Sequence, residues 1–148
     1  MSIGSRPMTV DDYEDVAALW RASPGVGLSS SDDRAGVARF LAENPGLSLA
    51  ACEGARLVGA VLCGHDGRRG FISHLAVATD ARRRGVGSSL VAGCLDALAG
   101  AGIRKCHALV FTDNRDALAF WEREGWTRRT ELIVMSALVR PRDIKATP

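Results

Sequence analysis

The stretch that decides the fold is LAVATDARRRGVGSSLVAGCL, residues 75–95. An apolar run gives way to three consecutive arginines and two spaced glycines, Gly85 and Gly87, and an apolar pattern of helical period follows. A strand that turns directly into a helix leaves the first helical amides without backbone partners, at the positive end of the helix dipole. The stretch therefore predicts a strand, an anion-binding turn and a helix.

The residues of this turn suit a phosphate group. Gly85 and Gly87 permit close approach of the backbone to a ligand, and three side chains add positive charge: Arg82, Arg83 and Arg84. Each charge-assisted hydrogen bond contributes about 1.5–3 kcal/mol, so several together favour a pyrophosphate. Two glycines alone would favour a simple turn beside a solvated arginine face. Here a strand, three arginines, two glycines and a helix start follow one another directly along the chain. This combination favours a phosphate-binding turn instead.

Two common phosphate motifs fit this turn poorly. A dinucleotide-binding fingerprint needs a third glycine or alanine, and this chain has Leu90 there. A P-loop needs a lysine followed by serine or threonine, and that pair is absent. The ligand is therefore expected to be a different phosphate compound.

The composition is that of one soluble globular domain. The 148 residues, 47% hydrophobic and 24% charged, are about enough for a single core. A net charge of +2 is too small to indicate a nucleic-acid partner. No apolar run reaches the ~18 residues of a membrane span, and the first residues lack the apolar core of a signal peptide. We therefore expect a cytoplasmic protein with no membrane partner.

The cysteines are expected to be structural. Each of the four lies alone in an apolar segment: Cys52, Cys63, Cys94 and Cys106. Their spacing contains no Cys-x-x-Cys pair and no Cys/His ligand pattern, which argues against a zinc site or a disulfide framework. We expect reduced side chains packed in the core.

Strands and helices alternate along the first half of the chain. A short strand is expected near Ile3–Arg6, and Thr9 with Asp12 three positions on forms a capping box for a first helix. The segment SPGVGLSSS is a loop, and a second helix is expected from about Asp32 to Glu43. Three strands then form an antiparallel meander over Leu47–Val77, with turns at Glu53-Gly54 and at HDGRRG.

The second half continues the alternation. A long helix follows the glycines and ends near residue 100, and KCHALVF, residues 105–111, is the next strand. Asp113 or Asn114 starts a final helix that Gly125 ends. The segment LIVMSALV, residues 132–139, is expected to form the last strand.

The segment RRRGVG, residues 82–87, resembles the acetyl-CoA motif of the Gcn5-related N-acetyltransferase (GNAT) family, Arg/Gln-x-x-Gly-x-Gly/Ala. The family's order of strands and helices also matches the order given above along most of the chain. The resemblance implies an α/β (α+β) fold over residues 1–148, with a mixed, mostly antiparallel sheet of six to seven strands and about four helices. It implies a stand-alone bacterial N-acetyltransferase that moves the acetyl group of acetyl-CoA directly to a primary amine of a small molecule or polypeptide.

The resemblance also assigns the cofactor-binding residues. The pyrophosphate is held by the backbone of five consecutive residues: Arg84, Gly85, Val86, Gly87 and Ser88. The pantetheine arm pairs with the edge of a strand: Leu75, Ala76 and Val77. The Val77 amide is the family-like group that stabilises the oxyanion. Direct attack by a neutral amine then needs no covalent enzyme intermediate.

A second family block resembles DNRDALAFWEREGW, residues 113–126. Family members generally place a tyrosine seven residues after the asparagine, where it donates to the departing CoA sulfur. This chain has Trp121 there, and an indole N–H cannot serve as an acid. Trp121 is expected to pack beside the cofactor, with a purely core role as the alternative. Asn114 either contacts the pantetheine or nearby water, or caps the helix.

By the same resemblance, the general base is expected on the strand FISHLAV, residues 71–77. The side on which family bases often lie holds Ser73, which could position a relay water. His74 is next to it, but alternation sends its side chain to the opposite face unless a bulge intervenes. A lone histidine in a buried strand is more often structural.

Two loops supply further candidates. His65 and Asp66, with Arg68 or Arg69, could bind a substrate carboxylate or act through water, and a tight Asp-Gly hairpin is the alternative. In the loop SPGVGLSSSDDR, residues 23–34, two acids could contact an ammonium group: Asp32 and Asp33. Helix capping is the simpler role for Asp32. His107 is expected to pack in its strand.

Other functions remain compatible with the same residues. A non-catalytic module that binds or senses acyl-CoA would also explain Trp121 and the uncertain base. A nucleotide-binding protein is a third option. The sequence leaves open the identity of the amine and whether the chain works alone or as a homodimer.

Overall fold

The computed structural model describes residues 2–139, in which five strands form one sheet of order β1-β2-β3-β4-β5. The first four strands pair antiparallel, and the fifth pairs parallel to the fourth. The strands are β1 Ile3–Pro7, β2 Leu49–Glu53, β3 Arg56–His65, β4 Gly70–Val77 and β5 Cys106–Ala108. The expected meander over residues 47–77 is therefore confirmed.

Helices cover both faces of the sheet. They are α1 Tyr13–Arg21, α2 Arg34–Glu43, α3 Val86–Gly100 and α4 Arg115–Arg123. One apolar cluster joins α1 and α2 to the sheet through Trp20 and Val37. The other joins α3 and α4 to the opposite face through Leu90 and Trp121. The expected mixed α/β architecture with four helices is what the structure shows.

A capped turn leads into α1. As expected, the Asp12 carboxylate accepts a hydrogen bond from the Thr9 amide, at 2.9 Å. The same carboxylate accepts two more from the Arg6 guanidinium, at 2.7 and 2.8 Å. That pair ties the end of β1 to the helix and holds the pKa of Asp12 below its ordinary value.

The helix α3 lies close against the sheet. A Cβ added at Gly59 in β3 would lie 2.9 Å from Val86 Cγ1 and 3.2 Å from Leu90 Cδ1. The glycine therefore sets the distance between strand and helix, and both helical side chains are buried. This contact fixes the first turn of α3 beside the end of β4.

A bulge interrupts the pairing of β3 with β4. Ala60 pairs with Ala76 and Leu62 pairs with Ser73, so β4 has one more residue than β3 over this interval. His74, in the bulge, has a φ of +53°, which histidine adopts more readily than most residues. A bulge redirects side chains locally. The strict alternation expected for Ser73 and His74 therefore does not hold.

Three sequence expectations differ from the structure. The segment KCHALVF pairs over residues 106–108 only, and α2 begins at Arg34 because Asp33, not Asp32, caps it. Within residues 127–139 no strand is present, so the last strand expected over residues 132–139 is wrong, and the sheet has five strands instead of six to seven. The apolar side chains of that segment lie exposed, without the covered face that a half-buried strand needs.

All four cysteines are free, as the sequence indicated. Cys63 and Cys94 are buried, and burial raises the pKa of the Cys106 thiol to about 12. The Cys106 thiol is therefore neutral near pH 7.

Within residues 2–139, none of the helices has the length and apolar character needed to span a bilayer.

Candidate active site

The first turn of α3 presents backbone amides toward solvent. The first hydrogen bond of the helix runs from the Ser89 amide to the Gly85 carbonyl, at 3.0 Å. The amides of residues 86–88 precede this ladder, and within residues 2–139 they have no hydrogen-bond acceptor. Gly85 adopts a φ of +76°, a left-handed conformation that favours glycine. The turn is thus an anion cradle built from the main chain.

Gly87 lies close to an aromatic ring. A Cβ added there would meet Phe120 Cε1 at 3.1 Å and Phe120 Cζ at 3.3 Å, with Val77 Cγ2 at 3.9 Å. The cradle, the end of β4 and the second half of α4 therefore converge at this glycine. The sequence predicts that Phe120 faces inward from the last helix, but it does not predict that this ring lies against Gly87.

The arginines before the cradle make contacts within the fold. The Arg84 guanidinium bonds Glu53 at 2.6 Å, and this contact holds the pKa of Glu53 below its ordinary value. Arg82 Nε donates to the Val77 carbonyl at 3.2 Å, and Arg83 adopts a φ of +63°. Contacts of the Arg82 and Arg84 side chains thus tie the turn to the ends of β4 and β2.

Helix α4 places the residues of the second block. Asn114 caps it, with its side chain accepting from the Ala117 amide at 3.1 Å. Trp121 is 9% exposed and packs edge-on against Phe120 and Trp126 in the core. Ser88 Oγ donates to the Glu124 carboxylate at 2.9 Å, which joins the cradle to the end of α4.

A cleft of about 570 Å³ lies on the other side of the bulge. Helix α2 and the loop before it form one wall, and Ser73, His74 and Leu62 form the other. The bulge brings Ser73 and His74 to the same cleft although they are adjacent in the strand. His74 is followed directly by Leu75, the first of the strand residues assigned to the pantetheine arm.

The polar centre of this cleft is a histidine paired with a carboxylate. His74 Nε2 lies 2.9 Å from Asp32 Oδ1, and the two side chains are 17% and 14% exposed. Trp20 packs edge-on against the imidazole, at 5.0 Å between ring centroids, and its Nε1 donates to the His74 carbonyl. The Ser29 amide donates to the other Asp32 oxygen at 2.8 Å. Trp20 therefore fixes the position of His74, and the Ser29 amide fixes that of Asp32.

The loop acids have separate roles. Asp33 caps α2 by accepting from the Gly36 amide at 2.7 Å, whereas Asp32 reaches across to β4. From the sequence, both acids are possible contacts of an ammonium group. The pairing of Asp32 with His74 spans 42 positions and depends on the bulge, so no local pattern contains it.

The other histidines lie away from the cleft. His65 Nδ1 accepts from the Gly67 amide at 2.9 Å in the hairpin turn between β3 and β4. Asp66 caps the same turn by accepting from the Arg68 and Arg69 amides, which hold its pKa low. His107 packs beside Phe71, at 5.9 Å between ring centroids. The structure thus groups Ser73, His74 and Asp32 without His65 or His107.

The amides of the cradle are groups that suit an anion such as a diphosphate. Among the described residues, three backbone amides at this helix N-terminus have no acceptor, Gly87 places no side chain beside them, and the end of β4 is adjacent. The cleft with Asp32 and His74 lies where that strand bulges. Such an arrangement can hold an anionic cofactor on one side of β4 and a proton-accepting pair on the other.

Comparison with known proteins agrees with this geometry. Residues 13–126 match the family described as the acetyltransferase (GNAT) family. An acetyltransferase of Pectobacterium atrosepticum is 32% identical over 113 residues, covering 76% of this chain and 79% of the relative.

Solved structures share the fold. Ard1 from Thermoplasma volcanium superposes with a TM-score of 0.76 at 22% identity, over 86% of this chain and 84% of that one. AAC(6')-Iy, bound to the bisubstrate analogue CoA-S-monomethyl-acetylneamine, superposes with a TM-score of 0.75 at 17% identity, over 94% and 100%. The family match over residues 13–126 and the 32% identical relative show that this chain belongs to the GNAT acetyltransferase family.

Proposed function

We propose that this acetyltransferase carries the acetyl group of acetyl-CoA to a primary amine bound in the cleft, with His74 taking the proton that the amine loses. The observation that carries the proposal is the 2.9 Å contact between His74 Nε2 and Asp32 Oδ1 in a cleft of about 570 Å³. When bound, acetyl-CoA supplies an activated thioester carbonyl. The residues of this chain bind it, orient the amine and move the proton.

In this proposal the cofactor binds at the cradle. The amides of residues 86–88 hold the diphosphate, and Gly87 lets the cradle lie close to Phe120 without a side chain that would obstruct the ligand. Charge-assisted hydrogen bonds of this kind contribute about 1.5–3 kcal/mol each. Leu75, Ala76 and Val77 supply the strand edge for the pantetheine arm, and the Val77 amide is the donor proposed for the developing oxyanion.

The proton acceptor follows from the pairing in the cleft. If ionised Asp32 accepts from Nε2–H, the remaining lone pair of His74 lies on Nδ1, and this atom takes the proton from the amine. A lysine-like amine, pKa ~10.4, costs about 4–5 kcal/mol to deprotonate at pH 7, whereas an α-amino group near ~8 costs about 1. The base therefore matters most for amines of high pKa.

Positioning of the two reactants supplies the rest of the rate enhancement. Holding amine and thioester together can account for roughly 7–11 kcal/mol of the barrier, so no covalent intermediate on the enzyme is required. Ser73 lines the same cleft and can hold a relay water between the amine and His74. The departing thiol, pKa ~8.5, leaves as thiolate at modest cost near neutral pH, which removes the need for a tyrosine at position 121.

The cleft favours a small molecule or the end of a peptide as acceptor. Its volume of about 570 Å³ lies within the range of small-molecule sites. The similar protein AAC(6')-Iy was solved with an analogue that joins CoA to an acetylneamine, which is a small-molecule amine. That likeness supports a small amine here.

The direct test is thiol release from acetyl-CoA with a panel of primary amines of graded pKa, followed by mass spectrometry of the product. We expect turnover with at least one amine and an acetyl group on its nitrogen. Binding of CoA without turnover for any amine would favour the sensing module. Equal affinity for CoA and for adenine nucleotides without pantetheine would favour a nucleotide-binding protein.

A further inference from the structure

Charged side chains of opposite sign line the two ends of the cleft. Asp32 and Asp33 lie at the N-terminal end of α2, next to His74, and Arg39 lies six positions after Asp33 on the same helix. Because an α-helix rises by ~1.5 Å per residue, these two positions are about 9 Å apart along its axis. The cleft therefore has an acidic end, where the proton-accepting pair lies, and a basic end.

The two acids have partners in the fold, whereas the arginine has none. Asp32 contacts His74 at 2.9 Å, and Asp33 accepts from the Gly36 amide at 2.7 Å. Among the described residues, nothing forms a hydrogen bond, an ion pair or a ring contact with the Arg39 side chain. A guanidinium presents a planar fork of donors that matches a carboxylate. Arg39 can therefore hold an anionic group of a ligand.

The remaining walls of the cleft carry no charge. In the part of the chain that the structure describes, its other lining side chains are small, hydroxyl-bearing or apolar, and the apolar ones include Val37, Phe40 and Leu62. Phe40 lies against β3, because a Cβ added at Gly64 would be 2.8 Å from the Phe40 Cζ. A ligand that complements the whole cleft therefore has a charge at each end and a neutral chain between them.

We propose that the acceptor is a zwitterion about three amino-acid residues long, which places its primary amine at His74 and its carboxylate on Arg39. This assignment rests on the proposed function, since it names the substrate class of the same cleft. The carboxylate accepts two parallel hydrogen bonds from the guanidinium. An extended tripeptide spans about 10 Å, close to the separation of the two ends, whereas a free amino acid is too short to reach both.

The charge on Arg39 also selects against another kind of amine. A polycationic amine that places one nitrogen at His74 brings a further positive charge to the basic end, and the repulsion there opposes its binding. The cleft therefore favours an amine that carries one cation and one anion.

The test compares a tripeptide that has a free carboxylate with the same peptide amidated at that end. Glycyl-leucyl-glycine and its C-terminal amide share the amine and the apolar side chain, so they differ in the anionic group alone. Calorimetry of the full chain with saturating CoA measures both affinities. We expect the acid to bind about tenfold more tightly than the amide, as a charge-assisted contact at an exposed arginine allows. Glycine should show no such preference over glycinamide, because it cannot reach both ends.

Variants of two arginines on α2 locate the contact. Arg39→Gln removes the charge of the basic end and should bring the ratio of the two affinities close to one, and Arg39→Lys should restore part of it. Arg34→Gln is the matched control, since Arg34 lies outside the cleft lining and contacts Glu14 at 3.5 Å, so it should keep the tenfold ratio. Both arginines are exposed, and circular dichroism should show an unchanged fold.

The proposal and the proposed function can fail separately. Equal affinity of the wild type for acid and amide, no binding of either peptide, or a preference that survives Arg39→Gln would overturn the carboxylate site. Thiol release from acetyl-CoA with the same peptides provides the second measurement. Release at equal rates for acid and amide would overturn the carboxylate site and leave acetyl transfer standing. Binding that depends on Arg39, without thiol release for any amine, would support the carboxylate site and contradict acetyl transfer.

Discussion

The cradle on α3 and the cleft beyond β4 differ in how the sequence encodes them. The cradle is made by seven consecutive residues, 82–88, whose glycines and helix start specify a local backbone shape. The cleft depends on Asp32 and His74, which are 42 positions apart and meet because β4 contains one extra residue. A backbone requirement is therefore visible in a short motif, whereas a side-chain pair that depends on strand register is not.

The largest expected effect lies in the cleft. His74→Asn tolerates the positive φ of the bulge but removes the proton acceptor, so kcat/KM should fall about 100- to 10,000-fold. The loss should be greater for a lysine-like amine than for an α-amino group, and CoA affinity should stay constant. Steady-state kinetics with calorimetry measures both. His107→Asn, in the neighbouring strand β5, is the matched control. Equal losses in both variants would remove His74 from the reaction.

Obstruction of the cradle should have the next largest effect. Gly87→Val places a branched side chain against Phe120 and in the path of the diphosphate, so CoA affinity should fall about a hundredfold, equivalent to roughly 2.7 kcal/mol. Gly100→Val is the control, because a Cβ there meets no atom within 4 Å. Calorimetric titration with CoA measures the difference. Undiminished affinity in a folded Gly87→Val protein would contradict the cradle.

A smaller effect is expected for the orienting acid. Asp32→Asn keeps the size of the side chain but removes the charge that fixes the imidazole, and kcat/KM should fall about 10- to 100-fold, with an altered pH profile. Asp33→Asn is the neighbouring control, since asparagine also caps a helix well. A pH profile unchanged in Asp32→Asn would assign the acid a purely structural role.

The smallest effect is expected for the capped turn before α1, which is formed by residues that are close together in sequence. Asp12→Asn should lower the free energy of unfolding by about 1 kcal/mol at neutral pH, allowing for solvent screening at the half-exposed Arg6. Because Arg6 lowers the folded pKa of Asp12, this stabilisation is present above the ordinary value of 3.8 and is lost as the pH falls through the folded pKa.

Thermal unfolding of the two proteins from pH 7 downward checks the expectation. A difference of about 2–4 °C should appear near neutral pH and shrink below pH 3.8. A gap that widened in acid would show that the carboxylate contributes in its protonated form.

Much of the fold could be predicted from the sequence because its signals are local. The Thr9–Asp12 turn, the meander over residues 47–77 and the cap at Asn114 all rest on neighbours within a few positions, and each is present. The register of β4 could not be predicted. A bulge has no fixed residue signature, so the strand pattern did not determine on which face of the sheet the His74 side chain lies.

The prediction of the last strand was wrong for a different reason. Residues 132–139 have the composition of a strand, but a strand also needs a partner, and the described part of this chain leaves the segment unpaired. The contact of Phe120 with Gly87 was not predicted, because it joins two helices that are distant in sequence. Composition indicates what a segment can form, and packing decides whether it does.

The most direct test of the central claim is an amide NMR spectrum of the labelled protein titrated with CoA. We expect the amides of Val86, Gly87 and Ser88 to show the largest shifts, because they gain acceptors on the diphosphate. CoA binding that left these three amides unchanged, or the absence of binding to the folded protein, would contradict the claim.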